Sequence, residues 1–275
     1  MSDPATLTDG EKTLFSVGND LKAYTACTVA PIFGCTDTKF GKLVGSGMFI
    51  RDGETTYLIT AAHVAKEVCK YPLPTHSAGE GRAPVVFRKS FFVLDMPSDL
   101  AAVEVDPSEI AYTPFDISCL ADSSRDLEDD ILFIHGFAQK NSRFSAIGGG
   151  GIYSDSLPYA TFLGESTLPE FKPGVHFAIQ YKQPEKQKDE KGKDVDLPPP
   201  PGLSGTAVWK ANRKDAEGEW KPTSARVVGI VHKWDQPSGS LVATRVEALK
   251  FMLHLMKAPR KPNESVEVYV RQRRE

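Results

Sequence analysis

Residues 58–64 read Leu58-Ile59-Thr60-Ala61-Ala62-His63-Val64, an apolar run that closes on two small residues and a histidine. Thr55 to Thr60 has the composition of a strand, and Arg51-Asp52-Gly53 just before it is a turn signal. Ahead of that turn, Gly45-Ser46-Gly47-Met48-Phe49-Ile50 is flexible at its start and apolar afterwards, so the two segments pair as a hairpin. Ala62 to Cys69 continues as a helical turn. A histidine after an apolar strand is ordinarily structural. Small side chains at Ala61 and Ala62, which let the backbone pack close beside the imidazole, set His63 apart.

The same texture extends in both directions. Thr25 to Phe33, Lys42 to Ile50, Val85 to Leu94 and Leu100 to Val105 read as strands around His63. A second set follows at Ile131 to Phe137, Tyr159 to Leu163, Val175 to Tyr181, Thr206 to Lys210, Ala225 to His232 and Leu241 to Thr244. The polar, acidic stretch Asp122 to Asp130 reads as the crossing between the two sets. Glu11 to Leu21 is amphipathic and predicts an N-terminal helix, and Val246 to Leu255 has helical spacing.

GSGMFI followed by LITAAHV resembles the first barrel of trypsin-like and HtrA-like serine peptidases, in which the T-A-A-H histidine is the general base. The resemblance implies an aspartate that opens a later apolar strand, then a serine in a Gly-x-Ser-Gly turn. Asp99-Leu100-Ala101-Ala102-Val103 and Gly202-Leu203-Ser204-Gly205 match both motifs. Asp95 and Asp106 are rivals for the first role, but neither leads directly into such a strand. The order His, Asp, Ser is that of chymotrypsin. Alpha/beta hydrolases run Ser, acid, His and need G-x-S-x-G, whose second glycine is Thr206 here.

The resemblance covers roughly Cys27 to Leu255. It implies an all-β fold of two six-stranded antiparallel β-barrels, chymotrypsin-like, with a C-terminal helix. Residues 1–24 are then an N-terminal extension carrying a short helix. Residues 25–255 form the peptidase domain, with barrel one at about 25–120, barrel two at about 130–245 and the helix at 246–255. Residues 256–275 form a basic tail. The activity implied is that of a serine endopeptidase, a hydrolase working through an acyl-enzyme, with protein or peptide as substrate. His63, Asp99 and Ser204 would be its triad, the backbone N–H groups of Gly202 and Ser204 its oxyanion hole, and Val231, His232, Lys233 and Trp234 its substrate-binding strand. No metal or organic cofactor is implied. A peptide-binding module that keeps these residues without cutting, or needs a partner to become active, is the alternative reading. An acyl hydrolase on the same fold is another.

Four positions depart from the family pattern. Leu203 stands where secreted digestive members carry the aspartate that pairs with a newly cut N-terminus, so activation of that kind is not expected. Pro198 stands where trypsin-like members carry the pocket aspartate; an apolar side chain is therefore expected beside the scissile bond, in place of Arg or Lys. Thr206 replaces a glycine and would narrow the site. His232 replaces a small polar residue beside the aspartate, either adjusting the triad or lying neutral in an edge strand.

Net charge of -3, with 40% hydrophobic and 25% charged residues, belongs to a water-soluble globular chain without a field for nucleic acid or an anionic membrane. MSDPATLTDGEK lacks the basic start and apolar run of a secretory signal. Cys27, Cys35, Cys69 and Cys119 are too scattered for a disulfide scaffold or a metal knuckle. The expectation is a cytoplasmic protein with reduced thiols. Gly148 to Gly151 reads as a hairpin tip, since no Gly-Lys-Ser/Thr follows it. Lys182 to Pro201, charged and then proline-rich, reads as an exposed loop ending in a stiff polyproline arm. As a surface insertion it is inert; folded over the cleft it would restrain activity until an activating partner displaced it. Arg260, Lys261, Arg271, Arg273 and Arg274 read as a solvated terminus.

Overall fold

The computed structural model describes residues 8–37, 41–77, 84–145, 151–181, 186–188, 194–214 and 219–258. Thr8 starts α1 (Asp9–Thr25) through a capping box: Thr8 Oγ1 accepts the Glu11 N–H at 3.2 Å, and Glu11 Oε2 accepts the Thr8 N–H at 2.7 Å. The first sheet follows. It is built from β1 (Val29–Cys35), β2 (Gly41–Asp52), β3 (Thr55–Ala61), β4 (Leu73–His76), β5 (Val85–Val86), β6 (Phe92–Leu94), β7 (Leu100–Val105) and β8 (Phe115–Asp116), with α2 (Ala62–Val68) after β3. Its order is β5-β4-β1-β2-β3-β7-β6, and β8 lies parallel to β2.

The second sheet contains β9 (Leu132–Ser145), β10 (Gly151–Thr161), β11 (Leu163–Gly164), β12 (His176–Gln180), β15 (Ala207–Lys210), β16 (Arg226–Asp235) and β17 (Ser240–Arg245), in the order β10-β9-β15-β16-β17-β12-β11. Between β12 and β15, β13 (Lys186–Lys188) and β14 (Asp194–Asp196) pair with each other as a two-stranded sheet, and α3 (Val246–Lys257) follows β17. Both sheets curl into antiparallel half-barrels. Each has six strands of three residues or more, and the two-residue strands β5, β8 and β11 make the totals eight and seven.

The unbroken apolar runs have a simple cause. Successive strand residues face opposite ways, and here both faces are covered. On β2 and β3, Phe49 and Leu58 enter the interior of the first barrel, while Met48, Ile50 and Ile59 face outward to a shared core. On β9, Leu132 and Ile134 fill the second barrel, and Phe133 turns to the same shared core beside Trp209 and Ile230. Leu21 of α1 and Leu249 and Met252 of α3 complete that core. The acidic crossing is tied to α3, where Glu247 accepts from Ser124 N–H at 2.9 Å and Ser124 Oγ at 2.6 Å.

The proline arm differs from its expected exposure, since Leu197, Pro198 and Pro200 are buried. Prolines bring no N–H that would need a partner. The carbonyls that do need one find it: Pro198 O accepts Tyr181 Oη–H at 2.6 Å, Pro200 O the Leu203 N–H at 2.9 Å, and Pro201 O the Gln139 N–H at 2.7 Å. The four-glycine run lies outside the described residues apart from Gly151. So do residues 182–185 and 189–193 of the charged loop and residues 259–275 of the tail.

Two buried histidines make the fold sensitive to acid. His135 joins β9 to α1 and β10: Thr25 Oγ1–H is given to Leu21 O, so His135 Nδ1–H donates to Thr25 Oγ1 at 2.7 Å, and Nε2 accepts from Ser156 Oγ at 2.8 Å. That pattern requires a neutral ring. Burial pushes both His135 and His76 down to about 4 from an ordinary 6.5. The unfolded chain therefore binds more protons between these values, and stability should fall as pH drops from 6.5 toward 4, by up to about 3 kcal/mol for each histidine. Urea melts across this window should show that slope, and His135→Gln should flatten it.

Candidate active site

His63 and Asp99 are brought together by strand register. Ala61 at the end of β3 pairs with Leu100 at the start of β7, which sets Asp99 against the first turn of α2. Ala61 offers no side-chain cap for that helix. Asp99 does the work instead: its Oδ1 accepts the His63 N–H at 2.9 Å, and its Oδ2 accepts His63 Nδ1–H at 2.8 Å. One carboxylate thus fixes both the backbone and the ring of His63. The imidazole leaves its other nitrogen toward solvent, with 49% of the side chain exposed against 11% for Asp99.

Asp99 occupies the left-handed region (φ 46°), which an aspartate tolerates better than most side chains. Its turn is held from the second sheet, where His176 Nε2–H donates to Pro97 O at 2.6 Å and Thr244 Oγ1–H to Ser98 O at 2.5 Å. Burial opposes ionisation of Asp99, but donors on His232 and His63 and the charge of His63 outweigh it and hold the carboxyl well below the usual carboxylate range. The rival acids are occupied elsewhere. Asp95 pairs with Lys66, and Asp106 caps the Ser108 N–H at 2.9 Å.

Ser204 comes from the second sheet and is fastened to the first by Ser46. The fully buried Ser46 gives its N–H to Ser204 O at 2.8 Å and its hydroxyl to Gly202 O at 2.8 Å. Its Oγ also accepts the Phe137 N–H at 2.9 Å, and its carbonyl accepts Thr60 Oγ1–H at 2.7 Å. Close approach is needed on both sides. A side chain at Gly45 would meet Val64 of α2 at 2.6 Å and Ser204 O at 2.9 Å. Gly205 has φ 90°, and a Cβ there would sit 2.0 Å from Ser46 O.

Within the turn, the amides of Leu203, Gly205 and Thr206 are bonded to Pro200 O, Val231 O and Leu203 O. The N–H groups of Gly202 and Ser204 have no protein acceptor among the described residues. Ser204 Oγ lies 3.5 Å from His232 O, and no hydrogen bond joins it to His63 among the described residues. Such contacts are commonly long in unliganded sites and tighten with substrate.

The expected substrate strand is uneven. Val231 and His232 are buried, Trp234 packs on the interior of the second barrel, and Lys233 is exposed and paired with Glu170. His232 Nδ1 is 3.5 Å from Asp99 Oδ2, too long for a full hydrogen bond but near enough to steady the carboxylate. Thr206 is fully buried, its hydroxyl filling the space a Cβ on Gly136 would take, so it exchanges bulk with a neighbouring strand. Sequence reasoning did not find Ser46, His176 or Thr244 as supports. The one available signal was the Gly-Ser-Gly of residues 45–47, whose small neighbours leave room for the serine turn. No group of three or more His, Cys, Asp or Glu suited to a metal occurs among the described residues.

Two curled sheets with a paired His–Asp on one and a serine turn on the other define the chymotrypsin-like double barrel, the fold of trypsin-like serine proteases. The Rv3671c protease of M. tuberculosis in its active form has it, with 17% identity and a TM-score of 0.50 over 89% of this chain and 87% of that one. So does the MamO protease domain of Magnetospirillum magneticum in its apo form, with 14% identity and a TM-score of 0.50 over 84% and 96%. No family model and no curated protein matches the sequence.

Ser46→Ala would leave Gly202 O and Phe137 N–H buried without their partner. It should destabilise the chain by about 2 kcal/mol or more, measured by urea unfolding. A change under about 0.5 kcal/mol would contradict the bridging role of Ser46.

Proposed function

We propose that the chain is a serine endopeptidase with His63 as general base, Asp99 as its orienting acid and Ser204 as nucleophile. The observation that carries this reading is that His232 touches both halves of the site, its carbonyl 3.5 Å from Ser204 Oγ and its Nδ1 3.5 Å from Oδ2 of the Asp99 that holds His63, while the N–H groups of Gly202 and Ser204 have no protein acceptor among the described residues. A serine hydroxyl attacks an amide only if its proton is removed as it attacks. His63, its Nδ1–H held by Asp99, presents a basic nitrogen for that proton and later returns it to the leaving amine. Negative charge developing on the former carbonyl oxygen is met by the two amides, each such donor being worth about 3 kcal/mol of barrier. Hydrolysis of the acyl-enzyme repeats the steps with water as nucleophile.

One observation favours a second reading, a latent enzyme or binding module. The Ser204 hydroxyl rests near His232 O and is not bonded to His63, so substrate or a partner protein would complete the site. The substrate is protein or peptide in either case. The cytoplasmic reading rests on the scatter of Cys27, Cys35, Cys69 and Cys119 along the sequence, which suggests no disulfide scaffold. Among the described residues no helix is long and apolar enough to cross a membrane.

A fluorophosphonate probe at neutral pH should label wild type and spare Ser204→Ala, and Asp99→Asn should slow labelling by on the order of 10³–10⁴-fold. Absence of labelling in folded wild type would favour the latent reading. Equal labelling of Ser204→Ala would overturn the nucleophile assignment.

A further inference from the structure

His232 is an unusual neighbour for a carboxylate that already holds one imidazole. Its side chain is 2% exposed; among the described residues Nε2 has no hydrogen-bond partner, and Nδ1 has the long 3.5 Å approach to Asp99 Oδ2. Buried polar groups left this way are rare, and function is a common reason for keeping one. Asp99 Oδ1 is taken by the His63 N–H, so the two rings meet at the same oxygen: His63 Nδ1 at 2.8 Å and His232 Nδ1 at 3.5 Å from Oδ2. Oδ2 can only accept. His232 therefore faces it with Nδ1–H, and its Nε2 lone pair is enclosed.

The ring behind His232 gives no charge relief. His176 lies 5.0 Å away, centroid to centroid. Its Nδ1 accepts the Lys172 N–H at 3.1 Å and its Nε2–H donates to Pro97 O at 2.6 Å, which fixes a neutral tautomer. The remaining charges about this pair are Lys172, Arg245, and Glu170 with its partner Lys233. Among the described residues Asp99 is thus the anion that His232 touches, and it is shared with His63.

The geometry points to His232 as a positioning residue that acts through Asp99: its Nδ1–H competes with His63 for Oδ2 and so sets the basicity of the imidazole that serves Ser204. This rests on the peptidase reading, but its test needs no turnover. A donor on Oδ2 draws off charge that would otherwise favour protonated His63. Removing that donor should raise the pH at which His63 titrates, while a donor at the same place that cannot itself take a proton should leave it unchanged. Asparagine meets that condition, because its amide nitrogen falls near the place of imidazole Nδ1.

The experiment is a ¹⁵N-histidine NMR titration of His63 in Ser204→Ala protein, alone and combined with His232→Asn, His232→Leu or His232→Ala. The expected result is a His63 midpoint raised by half a pH unit or more in Leu and Ala and kept within about 0.2 unit in Asn. An unmoved midpoint in either donor-less variant, or an Asn variant displaced as far as Leu, would overturn the proposal. Failure of wild type to take the fluorophosphonate would count against the peptidase reading and leave this titration to decide the role of His232.

Discussion

The arrangement of the site depends on a seam of short hydrogen bonds between two sheets, and Ser46 is its centre. Its amide, carbonyl and hydroxyl are all committed, two of them to the carbonyls on either side of Leu203. A serine turn on one barrel and a His–Asp pair on the other keep one arrangement only if the barrels cannot slide. An apolar interface alone resists separation but is poorly directional; buried, fully satisfied hydrogen bonds specify one register. Met48, Ile50, Phe133, Trp209 and Ile230 provide the adhesion, and Ser46 provides the alignment.

The same economy governs Asp99. One carboxylate caps a seven-residue helix that lacks a cap of its own, orients the His63 ring and stands against His232. Since His176 and Thr244 of the second sheet hold the carbonyls of Pro97 and Ser98, the acid's position is also decided across the seam. A left-handed aspartate persists because its surroundings over-determine it.

The hairpin of residues 45–60, the strands on both sides of it and the ordered His, Asp and Ser motifs could be read from the chain, because each is a local pattern of apolar runs and small residues. The supports could not. Ser46 meets Gly202 from 156 positions away, and His176 reaches Pro97 across 79, so no local pattern announces either bond. Thr206 looked like added bulk in the cleft; its bulk is absorbed by Gly136, which the sequence places far from it. The proline arm looked exposed because prolines usually are. Here its carbonyls have donors waiting on Tyr181, Leu203 and Gln139.

The most direct test of the account is a crystal structure of the chain treated with a peptide boronic acid. The account predicts a covalent bond from Ser204 Oγ to boron, with one boronate oxygen accepting from the N–H groups of Gly202 and Ser204. Boron bound elsewhere, or a Gly202 N–H turned inward to a protein acceptor, would contradict it.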